Sequence, residues 1–198
     1  MNAPEDRRVR RTRARLKDAL LELIEEGGYE TITIQELTER ADVGRSTFYA
    51  HFDSKEALLF DGFEGWLLSL PDLPESRASE GTLLRFSLPM LRHVRTQQRF
   101  FLAVMVEGAS PGVRLKTIAL LAEVIRRELS RNRGGGTGAW RPEGSTSPEA
   151  VLLEAEAHAL AGAFLSVVSW WLRAGTHLEA ERVDRVVQRL ARGAAGAP

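Results

Sequence analysis

The chain contains no cysteine, only three lysines and no long uninterrupted run of apolar residues. Without cysteine it has no disulfide framework, no thiolate metal site and no cysteine nucleophile. The four histidines, at positions 51, 93, 158 and 177, lack the spacing of metal ligands, so we expect neither a metal nor a cofactor. No apolar run reaches the roughly 18 residues of a membrane span, and no signal-like segment follows the polar N-terminus. These absences predict a cytoplasmic protein that does not contact a membrane.

Charge is balanced over the chain, with 27 basic and 27 acidic residues among 198, but it is unevenly distributed. The first 20 residues contain seven basic and three acidic side chains, whereas residues 1–62 contain ten basic and 13 acidic ones. A surface that binds a polyanion must therefore be local rather than a property of the whole chain. The hydrophobic fraction of 43% is large enough to fill a folded core, which excludes wholesale disorder.

The spacing of apolar residues is helical between clear breaks in the chain. Positions 16, 19, 20, 23 and 24 form one apolar helix face, and the two glycines that follow are typical of a helix end. The strand-like segment at residues 31–34 has no partner, so the sequence predicts an all-α protein of about nine helices. The later helices are predicted at residues 33–41, 45–52, 53–70, 79–96 with a kink at Pro89, 98–107, 113–131, 148–173 and 179–192, with a flexible loop at 133–147.

Residues 33–56, TIQELTERADVGRSTFYAHFDSKE, contain the most informative pattern. A capping box at Thr33 and Glu36 and a tight turn ending at Gly44 predict two short helices in a helix-turn-helix unit. Its apolar residues share an inner face, formed by Ile34, Leu37, Ala41, Val43, Phe48 and Phe52. The second helix has a polar outer face without any acid, which suits contact with DNA. This outer face comprises Arg45, Ser46, Thr47, Tyr49 and His51.

The pattern resembles the DNA-binding domain of the TetR family of bacterial transcriptional regulators, over residues 13–59. The matching positions are Thr33-Ile34, Leu37, Ala41, Val43-Gly44, Ser46 to Tyr49, His51-Phe52 and Lys55-Glu56. The segments RFFLAVMVEG and AGAFLSVVSWWLRAG resemble one of the C-terminal region types of that family. The resemblance implies a three-helix DNA-binding domain with a basic arm at residues 1–53. It also implies a C-terminal helical domain for effector binding and dimerisation at residues 54–198.

The resemblance further implies roles for individual residues in DNA binding. Arg45, Ser46 and Thr47 match positions that meet base edges in the major groove, and Arg45 is suited to a bidentate contact with guanine. The other positions carried over are Thr33, Tyr49, His51 and Lys55 for backbone phosphates and Gln35 for a base. Three alternatives stay open: Tyr49 packs as a half-buried side chain, His51 is merely solvated, and the whole unit is a packing motif without a DNA role.

In the C-terminal region, the resemblance implies an effector pocket and a dimer interface. The candidate pocket residues are Trp66, Phe86, Phe101, Met105 and Phe164, for each of which a place in the ordinary core is the alternative. The candidate interface residues lie on the last two helices, where small side chains permit close helix approach. They are Ala155, Gly162, Ser166, Val183, Val187 and Leu190.

The predicted function is that of a homodimeric, ligand-responsive transcriptional repressor. Two recognition helices related by a twofold axis require a nearly palindromic DNA operator, with half-sites about 34–36 Å apart. An unidentified small-molecule effector would change the distance between the two DNA-binding domains of the dimer. The change would be transmitted through the fourth helix, with a hinge near Pro71. The first alternative is a DNA-binding regulator that is controlled by a protein partner and has no small-molecule pocket. A helical enzyme is the second, but no nucleophile–base pair or cofactor loop supports it, so we predict that the protein is not an enzyme.

Overall fold

The computed structural model describes residues 7–61, 63–72, 82–107, 111–132 and 147–194. Within these ranges the chain is helical and has no β-strand, which confirms the predicted all-α class. The helices are α1 (Arg7–Gly27), α2 (Ile34–Arg40), α3 (Arg45–Tyr49), α4 (Lys55–Phe60), α5 (Phe63–Ser69), α6 (Ser87–Thr96), α7 (Gln98–Leu102), α8 (Pro111–Asn132), α9 (Pro148–Arg173) and α10 (Ala180–Ala194). A 3-10 turn, Leu70–Asp72, follows α5, and a π-helical segment, Ala103–Glu107, follows α7. The predicted loop at residues 133–147 lies almost entirely outside the described residues.

The chain divides into two compact units. The first unit comprises residues 1–63 and 99–113, and the second comprises residues 64–98 and 114–198. The chain therefore passes between the units three times, and the domain boundary predicted after residue 53 precedes the first of these crossings. The first unit contains the helix-turn-helix segment.

The core of the first unit forms where α1 packs on α2, α4 and the π-helical segment. One face of α1 is buried at Leu16, Leu20 and Ile24, which follow the four-residue repeat of a helix. Leu37 of α2 and Phe48 of α3 are fully buried, as the inner face of the sequence pattern predicts. The buried face therefore fixes which side of α3 remains available to a partner.

The turn between α2 and α3 uses Asp42 rather than glycine as its left-handed residue. Asp42 has φ 50°, and its amide donates to Glu39 while the amide of Val43 donates to Thr38, which is the hydrogen-bond pattern of a Schellman motif. The sequence suggests Gly44 as the residue suited to the end of the turn. In the structure Gly44 is instead the extended N-cap of α3, with φ −74°.

The single helix predicted over residues 53–70 is wrong. The helix ends at Phe60, Asp61 has an extended backbone with ψ 117°, and a new helix begins at Phe63. The apolar spacing continues across the break, so periodicity alone does not reveal it. The residue that breaks the helix is Asp61, whose carboxylate bonds to side chains of α1.

The predicted kink at Pro89 is also wrong. Helix α6 begins at Ser87, so Pro89 lies in its first turn, where a backbone amide needs no intrahelical partner. Proline is therefore compatible with a straight helix at this position. Residues 79–81, where the sequence places the start of this helix, lie outside the described part of the chain.

In the second unit, α10 packs on α6 and α9. The start of α6 is held by buried polar side chains from α8 and α10. Glu128 Oε1 accepts a hydrogen bond from the Arg85 amide at 2.8 Å. Gln188 Oε1 accepts from the Leu84 amide at 3.2 Å, and Gln188 Nε2 donates to the Leu84 carbonyl at 2.8 Å. Backbone groups ahead of α6 are thus satisfied by side chains that are distant in sequence.

By length and composition, helix α9 could cross a membrane. Among the described residues it is the one helix that meets this criterion. A third of its apolar window is buried inside the chain, and core helices of soluble proteins pass the same test. Its N-terminal half also contains Glu149, Glu154 and Glu156, which are costly in a lipid core.

Candidate nucleic-acid interface

Helix α3 presents the polar face that the sequence predicts. Arg45, Ser46 and Tyr49 are exposed, with Tyr49 52% accessible, and Thr47 and His51 are half-buried. Tyr49 rests edge-on against the buried ring of Phe48, with ring centroids 5.3 Å apart. The side chain is therefore exposed rather than half-buried, although one edge of its ring packs on Phe48, and its DNA contact stays a prediction.

Arg45 is the cation of this face. It occupies the first position of α3, and its side chain has no hydrogen bond or ion pair with any described residue. The acid closest to it in sequence, Asp42, is paired with Arg15 of α1 through Oδ2 at 2.7 Å. Arg15 also donates to the Asp42 carbonyl at 3.1 Å, which links α1 directly to the turn before α3. The local charge at the start of α3 is therefore positive.

Thr33 and Gln35 already have hydrogen-bond partners within α2. Thr33 Oγ1 accepts from the Glu36 amide at 3.2 Å, and Glu36 bonds back to the Thr33 amide at 2.9 Å, which confirms the predicted capping box. Gln35 Nε2 donates to Glu39 Oε1 at 3.0 Å. Both side chains are exposed and therefore accessible to DNA. Because both are already hydrogen-bonded, a DNA contact requires them to exchange or share these bonds. Their predicted roles stay predictions.

Lys55 is engaged within the protein. Its ammonium donates to the carbonyls of Tyr29, Glu30 and Ile32 at 3.1, 3.2 and 3.2 Å, which accounts for all three of its donors. It also lies 4.5 Å from the centre of the buried Tyr29 ring. The lysine therefore holds the connection between α1 and α2 in place, and a phosphate contact would compete with these bonds; the phosphate role of Lys55 stays a prediction.

We therefore expect Lys55→Gln to reduce the free energy of unfolding by about 1–2 kcal/mol, because carbonyls that bonded to a charged group lose their donor. Thermal unfolding without DNA measures this. The matched control is Arg10→Gln, which removes an exposed charge from α1. Equal melting temperatures for the two variants, with weaker DNA binding by Lys55→Gln, would contradict the structural role and support the phosphate contact.

The basic arm is partly neutralised by acids of its own unit. Arg13, Arg15 and Lys17 form ion pairs with Asp61 or Asp42. The other four basic side chains of α1, Arg7, Arg8, Arg10 and Arg11, are exposed. The sequence does not distinguish these two groups, because their partners lie 27 to 48 positions further along the chain.

The candidate pocket residues are not all brought together within one unit. Phe86 and Phe164 are buried in the second unit with ring centroids 5.2 Å apart, and Trp66 of that unit lies 4.4 Å from the His93 ring. Phe101 and Met105 are buried in the first unit. Burial lowers the pKa of His93, so its ring is neutral near pH 7.

A cavity of about 870 Å³ opens on the first unit, and its lining includes none of the five candidate pocket residues. Its walls come from the end of α1, the connection to α2, and the segment around α7. The charged residues that line it are Glu22, Glu25, Glu26, Glu30 and Arg99. Arg40 forms ion pairs with Glu22 and Glu26, which leaves the cavity with a net negative lining.

The candidate interface residues separate into two groups. Val183 and Val187 are buried inside the chain, so these side chains are not free to meet a partner, and that part of the expectation is corrected. Ala155, Ser166 and Leu190 are exposed, and Gly162 is half-buried. The other large apolar side chains exposed on α9 and α10 are Val151, Leu152, Trp170 and Val186. The sequence pattern identifies the apolar stripe of α10 but not which half of it faces inward.

The fold and the exposed α3 define a helix-turn-helix protein. The model of the family described as bacterial regulatory proteins, tetR family, matches residues 16–61. The HTH-type transcriptional repressor DhaR of a Mycobacterium species is 32% identical over 110 residues, which cover 54% of this chain and 52% of DhaR. The repressor KstR of Rhodococcus jostii is 32% identical over 98 residues, which cover 50% of this chain and 44% of KstR. The chain spans about half the length of these curated relatives.

Solved structures share the fold over nearly the whole chain. A TetR transcriptional regulator from Streptococcus agalactiae has a TM-score of 0.64 at 23% identity, covering 94% of this chain and 96% of that one. FadR from Thermus thermophilus, solved with lauroyl-CoA, has a TM-score of 0.60 at 21% identity, covering 90% and 92%. RolR, solved with resorcinol, has a TM-score of 0.56 at 21% identity, covering 98% and 97%. The predicted resemblance is confirmed: residues 16–61 match the model of that family, and the chain shares its fold with solved TetR regulators.

Proposed function

We propose that this protein is a dimeric transcriptional repressor that binds a nearly palindromic DNA operator and is released or modulated by a small-molecule effector. The observation that carries the proposal is the face of α3, where Arg45, which has no ion pair with any described residue, lies beside exposed hydroxyls with no acid between Gly44 and Phe52. A carboxylate on this face would be repelled by phosphate, whereas arginine is the side chain best suited to guanine.

The test is selection of binding sites from random duplex DNA by the purified protein, at near-physiological salt. We expect enrichment of a palindrome whose half-sites lie about one helical turn apart. Failure of a folded protein to enrich any sequence, both alone and after addition of cell extract to supply a co-ligand, would contradict DNA recognition by α3. A non-palindromic site would contradict the symmetric dimer.

Support for the dimer comes from the apolar side chains that α9 and α10 leave exposed. Leu152 of α9 is 62% accessible, Trp170 is 55% accessible, and Leu190 of α10 is 46% accessible. Between the first two, α9 exposes the small residues Ala155 and Ser166, which let a second helix approach closely. A twofold interface places the same patch on both partners, which suits a surface formed by two adjacent helices.

We expect Leu190→Arg to raise the dissociation constant of the dimer at least tenfold, because a charge must then be buried without a partner in the interface. Analytical ultracentrifugation across a concentration series measures this. Leu178→Arg is the matched control, since Leu178 is also exposed but lies in the connection before α10. A Leu190→Arg protein that sediments as the wild type does would exclude this face as the interface.

An effector is supported by two structural neighbours, which were solved with lauroyl-CoA and with resorcinol. In this chain the rings of Phe86 and Phe164 are buried against each other in the second unit, and we propose that an effector would contact this apolar pair. The competing reading is control by a protein partner. A thermal-shift screen distinguishes the two, because only a ligand that binds the folded state raises the melting temperature.

A further inference from the structure

Asp42 places a carboxylate next to α3. It is the left-handed residue of the turn before this helix, with φ 50°, and Arg45 begins α3 three positions later. The side chain of Asp42 is 93% exposed, so water and a bound partner can both reach the carboxylate. A free carboxylate at this position would repel phosphate and attract the Arg45 guanidinium. An acid here therefore opposes DNA recognition by α3 unless another group neutralises it.

The backbone explains why a residue of this shape stands at position 42. Residues other than glycine that adopt positive φ are enriched in Asn and Asp, whose short polar side chains tolerate the left-handed region. Either residue satisfies the turn, but only Asp adds a negative charge. The turn therefore does not require the charge of Asp42, and the group that neutralises this charge bears on DNA binding.

Arg15 of α1 neutralises this carboxylate. Its Nη2 donates to Asp42 Oδ2 at 2.7 Å and to the Asp42 carbonyl at 3.1 Å, so one nitrogen holds both the side chain and the backbone of Asp42. The contact lies wholly within the first unit. The two cations closest to Asp42 in sequence are not its partners. Arg40 pairs with acids of α1, and Arg45 has no ion pair with any described residue.

We propose that Arg15 is a positioning residue for DNA recognition: it holds the Asp42 carboxylate on α1 and thereby leaves Arg45 free for a base edge. The inference rests on the proposed function, in which Arg45 reads the operator. The side chains of Arg15 and Asp42 are 41% and 93% exposed, and exposed ion pairs contribute little to folding. Loss of the pair should therefore change DNA binding without unfolding the protein.

The test measures the ratio of affinities for the selected operator and for random duplex DNA, by fluorescence anisotropy. Arg15→Gln leaves the Asp42 carboxylate without its partner, Asp42→Asn removes the carboxylate, and the double variant does both. A second double variant, Arg15→Gln with Glu25→Gln, also has the net charge of the wild type but keeps the carboxylate. Glu25 is an exposed acid of α1 and lies ten positions beyond Arg15, about 15 Å along the helix axis.

We expect Arg15→Gln to reduce the ratio about fivefold, because Asp42 then competes for Arg45 in both halves of the dimer. Asp42→Asn is expected to keep the ratio of the wild type, since asparagine tolerates the same backbone conformation. Addition of Asp42→Asn to Arg15→Gln should recover the ratio, whereas addition of Glu25→Gln should not.

Three results overturn the proposal. An unchanged ratio in Arg15→Gln means that Asp42 does not compete for Arg45, and weaker binding to both duplexes would then make Arg15 a phosphate contact. A reduced ratio in Asp42→Asn, or no recovery when it is added to Arg15→Gln, makes the ion pair a structural support of α3. Equal recovery by Glu25→Gln assigns the effect to net charge.

Failure of the proposed function gives a different result, since the wild type then prefers no sequence and the ratio has no meaning. The ion pair is then tested without DNA, through the NMR resonance of the Arg45 Nε–H group. This resonance is expected to differ between Arg15→Gln and its double variant with Asp42→Asn, because only the first keeps a free carboxylate beside α3. Identical resonances overturn the proposal.

Discussion

Replacing Arg45 with alanine is expected to lower affinity for the selected operator by at least about 30-fold while leaving affinity for random DNA almost unchanged. One bidentate contact between arginine and guanine discriminates against a wrong base by about 1–3 kcal/mol, and a dimer has two copies of it. Arg45 is exposed and unpaired among the described residues, so its loss should not affect folding. Fluorescence anisotropy with operator and scrambled duplexes measures the two affinities.

Two further variants distinguish a base contact from a simple charge contribution. Arg45→Lys retains the charge but loses the fork of two parallel donors, so it should also lose most of the discrimination. Arg10→Ala removes an exposed charge from α1 and should weaken binding to all sequences equally, with a slope in log salt lower by about one. Unchanged operator discrimination in Arg45→Ala would rule out the assignment of α3 as the recognition helix, the helix that contacts base edges in the major groove.

Unfolding of the second unit is expected to depend on pH through Glu128. This carboxyl is 2% exposed, and Oε2 has no hydrogen-bond partner among the described residues. Burial raises the pKa of Glu128 to about 7, although hydrogen bonds from the amides of Arg85 and Phe86 and the charge of Arg131 oppose the shift. The folded state therefore keeps a proton that the unfolded chain, with a pKa of 4.5, releases.

The direction follows from proton linkage. Between pH 4.5 and about 7 the folded state binds the extra proton, so stability is greatest below pH 4.5 and falls as pH rises through 7. Glu128 accounts for a loss of up to ~3 kcal/mol over this window. Glu128→Gln resembles the protonated form, so the variant should match the wild type at pH 5 and exceed it at pH 8. Chemical denaturation at the two pH values measures the difference.

Glu123→Gln is the matched control on the same helix. Burial of the Glu123 carboxyl is outweighed by bonds from Arg126 and Arg127, so its pKa is lowered rather than raised. Its stabilisation should be present at both pH 5 and pH 8, and its loss should be equal at both. A Glu128→Gln variant with the same pH profile as the wild type would show that Glu128 is ionised in the folded state at pH 8 without cost.

Local patterns in the sequence were sufficient to predict the structure of the helix-turn-helix segment. The capping box at Thr33, the inner face at Leu37 and Phe48, and the acid-free face of α3 all depend on residues within a few positions of one another. Spacing along a helix reports directly on such relations, because a helix repeats every 3.6 residues. The DNA roles of the individual side chains stay predictions.

Relations between distant residues could not be predicted in this way. Lys55 bonds to the carbonyls before α2, and Asp61 pairs with α1. The local spacing of residue types along the sequence indicates neither contact. The same is true of Glu128. In the sequence it is an ordinary glutamate of a long helix, whereas in the structure the segment before α6 packs over it. Burial and partners, which decide the role of a charged side chain, depend on what packs above it.

By itself, the sequence determined the helical class, the position of α3 and the lack of acids on its outer face, because these depend on composition and on short-range periodicity. The tertiary structure alone decided which cations of α1 remain exposed, where the fourth predicted helix breaks, and which apolar residues of α10 face outward. Each of these depends on a contact between segments that are far apart in the chain, and such contacts exist only once the hydrophobic core has brought the helices together.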